Sequence, residues 1–255
     1  MTKRLRILAG PNGSGKTSVY EELKNSKYVQ FGIFVNADEI EKKLANDKTL
    51  SFDEYQIDVD GGDFINSYKK FLENKLSSIG IDDFSIQSNA LFISSNKNVD
   101  SYFASHLASY VRDAMLEKGI SKITIETVMS HESKLELIKK ALGLGYRVYL
   151  YYVTTVDPEI NVERVEARVK KGGHNVLKEK IRSRYKRSLG FLYDAMMLSD
   201  RSFLFDNSGT NYKWIVEYDR EGEKLEFKTQ SVPPWFKEYV FSKIVKHNPN
   251  IVLLE

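Results

Sequence analysis

The chain is 255 residues long, 42% hydrophobic and 29% charged, with a formal net charge of +3 and no cysteine. That length suits one large α/β domain, or a domain carrying an insertion, and that apolar fraction excludes a disordered chain. The charge is too small to imply a nucleic-acid partner, and a chain without cysteine forms no disulfide and does no thiol chemistry, which suits the cytosol.

The opening Met1-Thr2-Lys3-Arg4-Leu5-Arg6 resembles the n-region of a signal peptide, but Ile7 to Ala9 are too few for its apolar core. No segment is long enough to span a bilayer, so a cytoplasmic protein with no membrane partner is expected. Arg4–Ala9 is an apolar run expected as a buried strand. Gly10-Pro11-Asn12-Gly13-Ser14-Gly15-Lys16-Thr17-Ser18 follows and fits G-x-x-x-x-G-K-[ST], with a helical pattern after it. Glycines at 13 and 15 can turn successive N–H groups inward around phosphate oxygens. Lys16 brings a cation to the β- and γ-phosphates, and the Thr17 hydroxyl is the expected Mg²⁺ ligand. Residues Gly10 to Ser18 are therefore the expected nucleotide-binding set, for ATP or GTP with Mg²⁺.

The next apolar run, Gly32–Val35, leads into Asn36-Ala37-Asp38-Glu39-Ile40. In a parallel sheet, neighbouring strand ends face one crevice. Asp38 is thus a candidate carboxylate for an acceptor hydroxyl, with an ordinary helix N-cap as the competing role. From 47 to 98 the alternation of strands and helices breaks, and an insertion or cap over the sheet edge is expected. Within it, Asp63 is expected to cap a helix with apolar positions Phe64, Ile65, Tyr68, Phe71, Leu72 and Leu76. The stretch Asp58-Val59-Asp60-Gly61-Gly62-Asp63 has its glycine too early for a calcium loop, and Lys69 stands where the bidentate glutamate belongs. A turn into the helix is expected there. Val99 to Lys118 reads as a helix burying Tyr102, Phe103, Leu107, Tyr110, Val111 and Met115.

The strand Lys122–Glu126 ends in a lone Glu126 followed by Thr127, not in the Asp-Glu pair of motor ATPases, and no L-S-G-G-Q signature occurs. After the strand Arg147–Thr154, residues 161–188 form a cationic stretch. Between Arg164 and Arg187 it holds ten Lys or Arg and two Glu. Arg164 and Arg168 share a helix face that stops at Gly172-Gly173-His174, and a second helix carries Arg182, Arg184 and Arg187. Two cationic helices on a Gly-Gly hinge are expected as a lid (Arg164, Arg168, His174, Arg182, Arg184) that closes over triphosphate and excludes water. A nucleic-acid patch would want interleaved aromatics, and only Tyr185 is available.

Ser202–Phe205 is the fifth expected strand, followed by a hairpin Lys213–Tyr218 and Lys224–Thr229 turning at Arg220-Glu221-Gly222, then a helix from Pro233-Pro234-Trp235. His106 and His131 lack ligand spacing, and Trp214, Trp235, Phe236, Tyr239 and Phe241 read as core packing. The expected architecture is α/β, a P-loop NTPase fold with a mostly parallel five-stranded sheet flanked by helices, an inserted segment and a C-terminal β-hairpin. Its core is 1–210, with the insertion at 47–98, the lid at 161–188, and 211–255 packed on the core.

The set AGPNGSGKT, VNADEI, IETVMS, VERVEARVKKGGHNV, IRSRYKRSL and FDNSG closely resembles the zeta-toxin family of P-loop kinases, in particular its chromosomal zeta-like branch. The resemblance covers residues 3–46 and roughly 99–210, in order. It implies phosphorylation by ATP or GTP of a sugar hydroxyl on UDP-N-acetylglucosamine, a nucleotide sugar needed for cell-wall synthesis. It also implies an antitoxin partner that obstructs the nucleotide site. By the match, Asp38 takes the place of the catalytic carboxylate, Lys16 and Thr17 the phosphate-loop roles, and Glu126 and Thr127 the substrate contacts. Arg168 takes the place of the γ-phosphate arginine. Two departures bear on the acceptor: Glu126-Thr127-Val128 replaces the E-T-T of many relatives, and residues 47–98 carry no motif recognised from the family. A kinase of another small metabolite, an ATPase, or a nucleotide-binding regulatory protein are the alternatives that the residues leave open.

Overall fold

The computed structural model describes residues 2–26, 29–173 and 176–254. In chain order the first elements are β1 (Arg4–Ala9), α1 (Lys16–Asn25), β2 (Ile33–Val35), α2 (Ala37–Asp47), β3 (Thr49–Ser51), α3 (Gly61–Leu72), β4 (Phe84–Gln87), β5 (Ala90–Ile93) and α4 (Ser101–Lys118). Then follow β6 (Lys122–Thr127), α5 (Ser133–Gly143), β7 (Arg147–Thr154), α6 (Pro158–Lys170), α7 (Lys178–Leu198), β8 (Arg201–Asp206), β9 (Lys213–Asp219), β10 (Lys224–Phe227) and β11 (Val252–Leu254). The fold is α/β, with a mostly parallel sheet flanked by helices and an antiparallel C-terminal hairpin. The chain divides into two compact units, residues 1–31 with 126–255, and residues 32–125. The strand β6 carries the chain from the second into the first.

In the first unit β1, β7 and β8 run parallel, with Leu8 opposite Tyr151 and Tyr151 opposite Phe203. Leu5, Ile7, Leu8, Val148, Leu150 and Tyr152 are buried, as parallel strands covered on both faces require. The hairpin β9–β10 continues the sheet antiparallel from β8, turning where Glu223 N–H donates to the Arg220 carbonyl (3.2 Å). One strand went unforeseen: β11 adds in parallel to β10. The helix after Pro233 takes a π turn at Lys237–Phe241 and packs Trp235, Phe236 and Val240 into the core. Trp214 is the exception among the tail aromatics, 37% exposed with the Lys228 ammonium over its ring.

The second unit holds β2, parallel to the first residues of β6, with a separate antiparallel sheet in the order β3-β5-β4. An aromatic cluster of Phe64, Tyr68, Phe84 and Phe103 fills its core, and His106 lies against Phe64, Tyr68 and Phe71. Burial among these rings pushes the His106 imidazole down to about 4, because an apolar surround penalises its charged form.

Three local expectations are corrected here. Asp60, not Asp63, caps α3, accepting from the Asp63 N–H at 2.9 Å. Leu76 lies beyond the end of that helix and is 90% exposed. In α4 the buried stripe is Phe103, Ala104, Leu107, Val111, Met115 and Leu116, which leaves Tyr102 45% exposed at the N-terminal edge. No helix among the described residues is long and apolar enough to cross a membrane.

Candidate functional site: a glycine-rich loop buttressed by three polar side chains

Between β1 and α1 the backbone turns through Gly10, Gly13 and Gly15, with φ of 140°, 76° and 88°. These are left-handed conformations that side chains rarely adopt. Space forbids a Cβ as well as strain. At Gly13 it would fall 2.4 Å from the Asn161 carbonyl oxygen, and at Gly15 2.1 Å from the Asn207 amide nitrogen. The loop therefore lies flat against its neighbours. α1 starts at Lys16 with Gly15 as its N-cap and no side-chain cap, so its first-turn N–H groups are left for a ligand. The Ser14 hydroxyl is fully buried and has no hydrogen-bond partner among the described residues. A buried orphan hydroxyl inside a ring of glycines fits an anion that supplies the missing acceptor.

Lys16 is 7% exposed and folds back over the loop. Its ammonium donates to the Gly10 and Pro11 carbonyls at 3.0 and 3.1 Å and pairs with Glu126 at 3.5 Å. Glu126 and Thr127 sit at the end of β6, where the Thr127 carbonyl accepts the Gly10 N–H (3.2 Å) and its hydroxyl accepts the Met129 N–H (3.2 Å). Thr17 and Ser18 are exposed at the start of α1.

Three polar residues buttress the loop, and one of them, Arg184, is among the expected site residues. Asn161, buried in α6, donates its amide to the Asn12 carbonyl (2.8 Å), and its own oxygen accepts from the Thr155 hydroxyl. Arg184 of α7 reaches the Asn12 side-chain oxygen at 3.2 Å. Asn207, just beyond β8, donates to the Ser14 carbonyl at 2.9 Å. Asn161 and Asn207 were missed as site residues because nothing local marks an asparagine whose partner lies 149 or 193 residues away.

The two expected lid helices are α6 and α7. They share a small apolar core of Val162, Val165 and Ile181, with Val169 and Val176 against it. α6 ends as Gly172 enters the left-handed region at φ 85°. His174 lies outside the described residues. The arginines expected in a lid go to different places. Arg184 meets the phosphate loop, Arg182 forms a two-point pair with Glu159 (2.7 and 2.8 Å), and Arg164 donates to the Asn207 and Gly209 carbonyls. Arg168 is exposed one turn before Gly172, its carbonyl accepting from Gly173 N–H at 3.0 Å. In the other unit, Asn36 caps α2 by accepting from the Asp38 and Glu39 N–H groups (2.8 and 3.4 Å). Asp38 is exposed at the second helical position. Its carboxylate is not the cap.

Residues 92–196 match the family model described as zeta toxin. The similarity to the zeta-toxin family is thus confined to this stretch, less than half of the chain. The zeta-toxin segment runs from within β5 to near the end of α7, so it contains Glu126, Thr127 and all the described lid arginines. The phosphate loop and Asp38 lie outside it and stand on their own geometry. The chain is also 36% identical over 61 residues to an uncharacterized protein of Haemophilus influenzae, covering 24% of this chain and 44% of that one. Its fold resembles the complex AvrRxo1-ORF1:AvrRxo1-ORF2 with sulphate ions, at TM-score 0.56 and 16% identity, over 94% of this chain and 64% of that one. The AvrRxo1-ORF1:-ORF2 complex with ATP gives TM-score 0.54 and 15% identity, over 86% and 59%. At such identities the likeness is one of fold. The chain spans under two thirds of the length of these relatives.

Proposed function

We propose that the protein is a nucleotide-dependent kinase that transfers the γ-phosphoryl group of ATP or GTP to a hydroxyl of a small molecule. The observation that carries this reading is the loop itself: three glycines at positive φ, a buried orphan Ser14 hydroxyl and a lysine at the opening of α1. The zeta-toxin segment supports transfer to a hydroxyl, and the finer proposal is a sugar hydroxyl of a nucleotide sugar such as UDP-N-acetylglucosamine. Two-protein complexes among the fold relatives support an antitoxin as the proposed partner.

In this reading the amides of Gly13 to Thr17 surround the β- and γ-phosphates. Lys16 turns from the Gly10 and Pro11 carbonyls and Glu126 to the phosphate oxygens. Thr17 offers an exposed hydroxyl that would hold Mg²⁺ beside the phosphates. Mg²⁺ supplies charge neutralisation on the phosphates. Asp38 accepts the proton of the acceptor hydroxyl while the hydroxyl oxygen bonds to the γ-phosphorus and the bond to the β,γ-bridging oxygen breaks, releasing the nucleoside diphosphate. Glu126 and Thr127 hold the acceptor, and Arg168, with Arg184 near the loop, meets the charge that develops in transfer.

The test is to incubate the protein with ATP, Mg²⁺ and a panel of nucleotide sugars and to look by mass spectrometry for one added phosphate. A phosphorylated UDP-sugar is the expected product. Phosphate on a different metabolite keeps the kinase and discards the nucleotide sugar. Free phosphate alone, at a rate no acceptor changes, overturns the reading in favour of an ATPase or a regulatory nucleotide-binding protein.

A further inference from the structure

Arg164 looks, from its place on a cationic helix, like a residue for the nucleotide's phosphates. Its guanidinium instead spans two backbone carbonyls of the segment after β8, donating from Nη1 to Asn207 (2.7 Å) and from Nη2 to Gly209 (3.2 Å). That segment is pinned on its other sides. The Asn207 N–H donates to the Thr154 carbonyl (2.8 Å), and the Ser208 N–H donates to the Asp206 carboxylate (2.9 Å). The Ser208 hydroxyl accepts from the Val156 N–H at 2.8 Å. What these contacts hold in place is one side chain, the Asn207 amide, which donates to the Ser14 carbonyl at 2.9 Å and lies where a Gly15 Cβ would be. Ser14 and Gly15 are the residues whose backbone sets the shape of the phosphate cradle.

We propose that Arg164 is a positioning residue for the phosphate loop: it holds the Asn207 backbone so that the Asn207 amide fixes Ser14 and Gly15 in their phosphate-binding conformation. The proposal rests on reading that loop as the nucleotide site. Its physical basis is the fork geometry of a guanidinium, which fills two acceptor positions at once and restrains the segment between them. A lysine there keeps the charge and loses the second donor in the fork.

The two roles open to Arg164 separate by nucleotide. An arginine that touches the γ-phosphate favours ATP and leaves ADP unaffected. One that shapes the amide cradle affects both equally, because the β-phosphate uses the same loop. The experiment measures ATP and ADP affinity by calorimetry for the full chain and for Arg164→Ala, Arg164→Lys, Asn207→Ala and the Arg164→Ala/Asn207→Ala double variant. Each single alanine variant is expected to weaken both nucleotides by a common factor of ~10, the scale of a lost charge-assisted contact. The double variant is expected to be no weaker than either single, since both break one chain of contacts. Arg164→Lys is expected to rescue little.

Hydrogen exchange of a peptide covering Gly10 to Lys16 gives a second measurement that needs no nucleotide. It is expected to speed up in Arg164→Ala and Asn207→Ala while peptides from β1 and β7 keep their protection. A loss confined to ATP, losses that add in the double variant, or wild-type affinities in the single variants each overturn the proposal. Should the wild-type chain bind neither nucleotide, the nucleotide reading fails instead. Unchanged exchange in the loop then disposes of the positioning role separately. If Arg164→Ala does not fold, Arg164→Lys and Asn207→Ala carry the same comparison.

Discussion

Lys16 donates to two carbonyls of its own loop and pairs with Glu126, so its ammonium is well satisfied within the protein. Replacing it costs the loop its cation and leaves Glu126 without that partner at the end of β6. Lys16→Ala is expected to weaken ATP by roughly ten- to a hundredfold, as one hydrogen bond to a charged group is worth about 1.5–3 kcal/mol. Calorimetry checks this, and undiminished ATP affinity would remove the basis of the functional reading. Asp38 poses the opposite case. Because Asn36 fills the N-cap, the Asp38 carboxylate is not needed to start α2. Asp38→Asn is therefore expected to leave the unfolding temperature and ATP affinity close to wild type while product formation falls ~10²-fold, the range of a general base. Normal transfer by that variant would return Asp38 to a plain position in a first helical turn.

The elements differ in how far local sequence betrays them, and each difference has a physical cause. The runs that became β1, β7 and β8 are apolar on both faces because parallel strands are covered on both, so they stand out against their surroundings. The strands β3, β4 and β5 were not legible. They have three or four residues each, and their hairpin turns at Ser88 and Asn89, both at positive φ without a glycine to announce it. Asn89 is held there by its amide group, which bonds Asp53, the Ile57 carbonyl and the Val59 N–H. The strand β11 was silent because Val252, Leu253 and Leu254 remain exposed on an edge, where no burial pattern is imposed. For the site, the glycines and Lys16 were plain from their spacing, whereas Asn161 and Asn207 take their meaning from distant partners.

Two predictions belong to elements. Arg168 sits in the last turn of α6, and in the proposed role Arg168→Ala is expected to lower kcat far more than ATP affinity, because a charge met only in the transition state does not affect ground-state binding. Equal losses in both would make it a ground-state contact. On α4, the half-buried His106 is held neutral among aromatic rings, its pKa lowered to about 4 from an ordinary 6.5. Between those values the unfolded chain binds a proton that the folded chain refuses. Stability is thus complete above about 6.5 and falls as the pH drops toward 4. A series of melts across that window is expected to show the slope in the wild type and a shallower one in His106→Phe. Identical slopes would assign the pH dependence to other groups.

For the whole molecule, the question is whether the tail after 210 is an addition or part of the first unit. It does not stand apart: β9, β10 and β11 extend the sheet that carries β1, and Trp235 reaches back to the buried end of β8. Its indole N–H donates to the Asp206 carboxylate at 2.7 Å, while the other oxygen of that carboxylate accepts from Ser208 N–H. Asp206 is 7% exposed, so its carboxylate oxygens rely on those donors for hydrogen bonds. Trp235→Phe keeps a large ring in place and removes one donor, leaving a buried acceptor short of a partner at a cost of about 1–3 kcal/mol. For a chain of this size that corresponds to a fall of roughly 2–12 °C in Tm. Because Asn207 follows Asp206 directly and supports Ser14, the same change is expected to weaken ATP as well. Thermal melts and calorimetry on Trp235→Phe decide the matter. A wild-type Tm with wild-type ATP affinity would mean that the tail rests on the sheet without supporting the loop; a fall in both would make residues 211–255 a structural part of the nucleotide site, and removal of the tail would then be expected to abolish ATP binding.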